Sequence, residues 1–227
     1  MDILNEIMTI FPYNRDIIET VESGERYLAV MNNEGNIGVC AVLGNDTSNV
    51  NIENPDLKSI PDRIFLTAYY NSLLNIKQQN YGSGDIAEII DFHDYRNIVM
   101  IGYFYPIVER LKNKNVEVSV FDFRDLEVSL PLEKQKEYLQ KADCVILTAT
   151  SIFNKTFNEI IENTSGDVFI LGPSSILNEY FFKFQNVKAI FGSIFEPYDN
   201  KVIDAVKDGL GTRKFLKYGK KVVLRRE

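Results

Sequence analysis

Asn97-Ile98-Val99-Met100-Ile101-Gly102-Tyr103-Phe104-Tyr105-Pro106 decides how the chain is read. Four apolar residues run without alternation, which suits a strand covered on both faces, as in a parallel sheet. Gly102 supplies the turn. Pro106 opens a helix, because the first helical N–H would be unpaired anyway. A strand, a glycine turn and a helix N-terminus make the place where α/β sheets bind ligands. The stretch points to a fold class and to a site, and leaves the chemistry open.

The same pattern continues towards the C-terminus. Strand-like runs fall at 98–101, 116–121, 144–148, 168–171 and 187–191. Helix-like runs separate them at 106–113, 132–141, 155–164, 175–183 and 198–208. Strands alternating with helices mean βαβ units and a mainly parallel sheet, hence an α/β fold. The tail from Phe215 to Leu224 reads as two short strands around Gly219, closing the sheet edge.

Towards the N-terminus the pattern differs. Residues 1–25 read as helical, with Asp16-Ile17-Ile18-Glu19-Thr20-Val21 continuing after a break at Pro12. Arg26–Met31 and Gly38–Leu43 read as a hairpin around Asn32-Asn33-Glu34-Gly35-Asn36. Ser59-Ile60-Pro61-Asp62 opens a helix that carries Phe65, Ala68, Tyr69, Leu73 and Ile76 on one face. Asn71 and Asn75 share another face, read either as exposed polar positions or as a polar edge towards a cleft. Tyr81-Gly82-Ser83-Gly84-Asp85 reads as a flexible joint. It divides the chain into a small α+β domain over 1–81 and a larger three-layer domain over 85–227.

Composition bounds the rest. The 227 residues are 45% apolar and 25% charged, with net charge −7 and pI near 5.0. That balance argues against a nucleic-acid partner. The lysines and arginines between Arg213 and Arg226 read as decoration of an exposed C-terminal hairpin. Cys40 and Cys144 sit inside apolar runs and read as buried small hydrophobes. No paired-cysteine framework, signal peptide or membrane-spanning run stands in the sequence, so the expectation is a cytoplasmic protein with no membrane partner. Self-association as a homodimer is compatible with this composition without being demanded by it.

Ligands in open α/β sheets sit beyond the carboxyl ends of the strands. Those ends deliver Gly102, Tyr103 and Phe104; then Asp122; then Thr148, Thr150 and Ser151; then Gly172, Pro173, Ser174 and Ser175. Asp122, twenty residues after Gly102, stands where adenosyl and dinucleotide folds place the acid that binds ribose hydroxyls. Its other reading is a cap on the following loop. A glycine-rich fingerprint is missing, and the aromatic residues after Gly102 would obstruct a pyrophosphate. They would suit a flat or apolar ligand, or pack against the other domain. Ser174 or Ser175 can cap a helix whose N–H groups would hold an anion. The one histidine, His93 in Asp91-Phe92-His93-Asp94, lies before the first parallel strand. No serine-nucleophile elbow is present, so a hydrolase triad is not expected. Asp122 and His93 are the weak candidates for a metal.

The Gly102-Tyr103-Phe104-x-Pro106 turn, the Leu171-Gly172-Pro173-Ser174 strand end and the Lys217-Tyr218-Gly219-x-Lys221-Val222-Val223-Leu224 tail together resemble the putative heavy-metal-chelation family. So does the helix Ala68-Tyr69-Tyr70-Asn71-Ser72-Leu73-Leu74-Asn75. The resemblance covers essentially the whole chain. It implies an N-terminal domain similar to that of enolase, followed by a Rossmann-like domain. It also implies an interdomain cleft with Gly102, Asp122 and Gly172-Pro173 on one side and Asn71 and Asn75 on the other. A small anionic or metal-chelate ligand is the expected occupant, with a metal ion or metal chelate as the implied cofactor. A soft-metal site built from protein alone would want cysteine and histidine clusters, and one His with two Cys is a poor supply. Metal would then arrive already chelated, or be oxygen-bound near Asp122. The alternative is a transferase-like enzyme that uses an adenosyl or nucleotide-type cofactor at the strand ends.

Overall fold

The computed structural model describes residues 2–76, 81–124 and 127–226. In chain order the elements begin with α1 (Ile3–Ile10), β1 (Ile18–Ser23), β2 (Tyr27–Asn32), β3 (Ile37–Ala41) and α2 (Ile60–Leu74). Then come β4 (Gly82–Ser83), α3 (Ile86–Ile89), β5 (Ile98–Ile101), α4 (Tyr105–Asn113) and β6 (Ser119–Phe121). The remainder is α5 (Gln135–Lys141), β7 (Cys144–Thr148), α6 (Phe157–Glu162), β8 (Asp167–Leu171), β9 (Val187–Phe195), α7 (Asn200–Lys207), α8 (Thr212–Phe215) and β10 (Gly219–Arg225). Among the described residues no helix is long and apolar enough to cross a membrane.

The first three strands form an antiparallel sheet in the order β1-β2-β3. The expected helix over 16–21 is instead a 3₁₀ turn at Arg15–Ile17 followed by β1 from Ile18. Ile17, Ile18, Thr20 and Val21 are β-branched, which restricts χ1 in a helix and suits a pleated surface. Helix α2 lies against this sheet. Ser59 caps it by accepting from Asp62 N (3.3 Å), and Pro61 sits in its first turn. The helix is buried almost all round rather than along one stripe, so Asn71 and Asn75 are interior, not exposed.

The second sheet has seven strands in the order β4-β10-β9-β8-β7-β5-β6, with β5 to β9 parallel. Numbering the five parallel strands along the chain gives the doubly wound order 2-1-3-4-5, whose direction reverses between β5 and β7. Each parallel strand alternates faces. Val99, Ile101, Val145, Leu147, Val168 and Ile170 join a core shared with α1, α2 and the small sheet. Ile98, Met100, Cys144, Ile146 and Phe169 face the core beneath α3 and α4. Both faces being covered explains the unbroken apolar runs.

Three other expectations change. Gly82–Ser83 is not a free joint: it pairs antiparallel with Val223 and Val222 as the edge strand. The tail is one strand, β10, antiparallel to β9 from Gly219↔Phe195 to Arg225↔Ala189. Gly219 begins that strand, because a Cβ there would stand 2.7 Å from the Phe195 ring. Several of the basic residues there are engaged, Lys221 with Asp85, Lys220 with Glu196, and Arg226 with the carbonyls of Phe182 and Phe184. Lastly, residues 175–178 are irregular, and the first helical turn after Ser174 is a 3₁₀ segment at Glu179–Lys183.

One buried cation ties the two sheets' surroundings together. Arg63 on α2 has no exposed surface. Its Nε donates to Phe153 O (2.6 Å), and Nη2 donates to Ile152 O (2.8 Å) and Asp2 Oδ1 (2.9 Å). Its Nη1 donates to Asp2 Oδ2 (3.2 Å) and Leu57 O (3.4 Å). A guanidinium has five N–H donors, and all five are used.

Candidate functional site

The reversal of strand order between β5 and β7 opens a crevice at their carboxyl ends. The turns around it are held by short, specific contacts. Gly102 has φ +89°, and an added Cβ would lie 2.7 Å from Thr148 Cβ. Only glycine lets the β5 and β7 ends approach this closely. Gly102 N donates to Phe121 O at 2.8 Å. Beyond it, Asp122 receives Tyr103 N on Oδ2 and Arg124 N on Oδ1, both at 2.7 Å. Hydrogen bonds to a charged acceptor are the stronger kind, so this carboxylate fixes the turn into α4 and its own loop together.

The β7 end contributes hydroxyls. Thr148 Oγ1 and Thr150 Oγ1 are 2.9 Å apart, and Ser151 donates to Thr148 O at 2.7 Å. At the β8 end Gly172 has φ +131° and lies under the Phe104 ring. The Ser174 hydroxyl, almost fully buried, accepts Ala41 N at 3.0 Å. That bond joins the large sheet's crevice to the end of β3.

The opposite wall comes from the small sheet, as Tyr27, Ala41 and Leu43. Tyr27 shares a hydrogen bond of 2.6 Å with Thr212, and burial pushes its phenol above the ordinary value of 10.0. Leu43 has φ +50°, an uncommon conformation for a bulky residue and one that clusters at ligand sites. The crevice, open to solvent on one side, has a volume of about 470 Å³, within the range of roughly 300–1,000 Å³ usual for small-molecule sites.

Nine of the eleven residues expected to bind ligand line this cavity: Gly102, Tyr103, Phe104, Asp122, Thr148, Thr150, Gly172, Pro173 and Ser174. Asn71 and Asn75 do not. Their amides serve main chain instead, Asn71 donating to Val39 O (2.9 Å) and Pro173 O (3.5 Å). Asn75 donates to Ser175 O (2.8 Å) and accepts Leu177 N (2.7 Å). They hold the β8 loop against α2, behind the cavity wall. Ser174 and Ser175 cap no helix, so the anion site expected at a helix start there is not built. The Ser175 hydroxyl donates to Phe191 O at 2.8 Å.

Sequence reasoning missed the small-sheet wall and Arg124, Asn154, Thr156 and Thr212. The Leu43-Gly44 turn just after a strand was a usable signal for the first. Arg124, two residues past Asp122, offered one for the second.

The two metal candidates do not meet. Asp122 lines the crevice, whereas His93 lines a separate recess with Glu88, Asp91 and Lys114. Among the described residues no three His, Cys, Asp or Glu side chains gather so as to hold a metal ion. Cys40 is fully buried, and burial pushes its thiol up to about 12, although Ser174 and Thr67 oppose the shift. Burial raises Cys144 likewise, helped by Asp143 and Asp167. Neither is a ready thiolate, so the described residues do not fit a bare soft metal.

No curated protein matches the chain. Two solved structures are similar over almost its whole length. One is a protein of unknown function from Pyrococcus horikoshii, with TM-score 0.80 and 22% identity, covering 98% of this chain and 98% of that one. The other is a protein of unknown function from Desulfitobacterium hafniense DCB-2, with TM-score 0.78 and 17% identity, covering 98% and 99%. Both belong to the DUF364 family, and at these identities they show the fold alone. The family model described as putative heavy-metal chelation matches residues 85–225, well over half of the 227. The chain belongs to that family.

Proposed function

We propose that the chain binds a small anionic or metal-chelate ligand in the crevice between its two sheets, with any metal arriving already chelated. The observation that carries this reading is the 470 Å³ cavity at the strand-order reversal, lined by turns whose glycines and Asp122 are held in fixed geometry. Three features favour a chelate over a bare ion. The thiols are buried, His93 stands elsewhere, and the lining carries one carboxylate, Asp122, among the neutral hydroxyls of Thr148, Thr150, Thr156 and Thr212. Such hydroxyls suit the polar edge of an organic ligand better than the coordination sphere of a soft metal. Arg124 supplies a cation for one anionic group.

The test is native mass spectrometry with metal analysis on protein purified without chelators. The expected result is a mass increment matching a metal chelate, with metal at no more than one per chain. Metal retained at bare atomic mass, and kept after Asp122→Ala and Thr148→Val, would overturn the reading. A retained adenosyl nucleotide would replace it with the transferase alternative.

A further inference from the structure

We infer that the part of the ligand recognised in this crevice is a flat, conjugated ring system, carrying at most one anionic group; this rests on the crevice being a ligand site. The first observation is the distribution of aromatic rings. Tyr27, Tyr103, Phe104, Phe121 and Phe123 line the cavity. Phe121 is packed edge-on against Tyr138, and Tyr103 against Tyr105, at centroid distances of 5.4 and 6.4 Å. Phe104 and Phe123 have no ring partner among the described residues. Phe104 is half-buried beside Gly172, and Phe123 is exposed, so both rings line the cavity without being committed to another aromatic ring and can offer one face to a planar guest in the favoured offset arrangement.

The second observation is exposure at the rim. Phe123 is 54% exposed and Leu132 is 42% exposed, and both line the cavity mouth. Single exposed apolar residues are ordinary, but two at one mouth leave unburied area that a guest would cover. The backbone that carries Phe123 is anchored: it sits between Asp122 and Arg124, and the Asp122 carboxylate accepts the main-chain N–H groups of Tyr103 and Arg124.

The third observation is charge. Asp122 and Arg124 are the charged side chains among the described lining residues, one of each sign. A multiply charged compact chelate would leave most of its charge unpaired in the cavity, which is costly. A conjugated ring with hydrogen-bonding edges matches the hydroxyls of Thr148, Thr150 and Thr156 instead.

The experiment compares four probes on the full chain by calorimetric titration and thermal shift. Riboflavin and the zinc complex of 1,10-phenanthroline are the flat ones. Zinc citrate is a compact anionic chelate, and zinc ion is bare metal. Expected is binding of at least one flat probe, weakened about tenfold by Phe123→Ala and by Phe104→Leu, as befits loss of one stacked ring. Phe123 is exposed, so its variant folds. Binding of zinc citrate without either flat probe overturns this inference and leaves the crevice reading standing. Flat-probe binding unchanged in both variants overturns it too, because the probe then sits elsewhere. No binding by either flat probe or zinc citrate overturns both.

Discussion

Arg63 shows at the residue scale how a buried charge is made tolerable. Removing the guanidinium of the Arg63–Asp2 pair strands the buried carbonyls of Phe153 and Ile152, at about 1–3 kcal/mol each. Arg63→Met should lower unfolding free energy by both costs together in urea titration, a large fraction of the roughly 5–15 kcal/mol typical of a domain. The pair also carries a pH dependence. Burial opposes ionisation of Asp2, yet the Arg63 guanidinium and the N–H groups of Asn5 and Leu4 hold its carboxyl below the ordinary 3.8. A carboxylate lowered in the folded state adds stability above its unfolded value and loses it as pH falls through the folded one. Asp2→Asn should therefore flatten the fall in stability below pH 3.8, measured by urea midpoints across acid pH. Glycines give a second contrast. Gly44 has φ +81° with open space around it, whereas Gly102 has φ +89° and Thr148 at 2.7 Å. Gly44→Ala should cost about 1–2 kcal/mol for its left-handed backbone. Gly102→Ala should cost more, and should also loosen the crevice. None of this shows in sequence, since Arg63 reads there as one more charged helix residue.

At the scale of elements, legibility follows periodicity. The strands at 98–101 and 144–148 stand where their apolar runs placed them, because burial on both faces leaves nothing polar to confuse the pattern. Four strand ends then located nine of the cavity's lining residues without any coordinates. β1 was misread because Ile17-Ile18-Glu19-Thr20-Val21 fits a helical stripe as well as a strand, and only pairing with β2 decides it. Helix α2 was misread differently: its amphipathic face is an accident of composition, since both of its sides meet protein. Asn75 is the instructive case, a polar residue made interior by the loop it serves. Asn75→Ala should leave Ser175 O and Leu177 N without their partner, at about 1–3 kcal/mol. Native-state hydrogen exchange should show the Leu177 amide freed in that variant while the β7 amides stay protected.

Over the whole molecule, the segments 1–81 and 85–227, proposed as domains on sequence, share one hydrophobic core. Ile3, Leu28, Phe65 and Tyr69 belong to the same buried cluster as Val99, Leu147, Ile170 and Ile190. Calorimetry should accordingly record one unfolding transition, with calorimetric and van't Hoff enthalpies equal. Two resolved transitions would mean that the shared core contributes little. The small-sheet wall of the crevice could not be read locally for the same reason. Tyr27 and Leu43 reach the site only through packing between residues far apart in sequence.

Helix α2 carries one more consequence, for synthesis. Phe65, Leu66, Ala68, Tyr69 and Tyr70 are all buried, and part of what covers them is translated last. At about 5–20 residues per second, the rest of the chain needs on the order of ten seconds to emerge. Through that interval the helix has β2 and β3, already made, to lie on, while its other side waits uncovered for the large sheet.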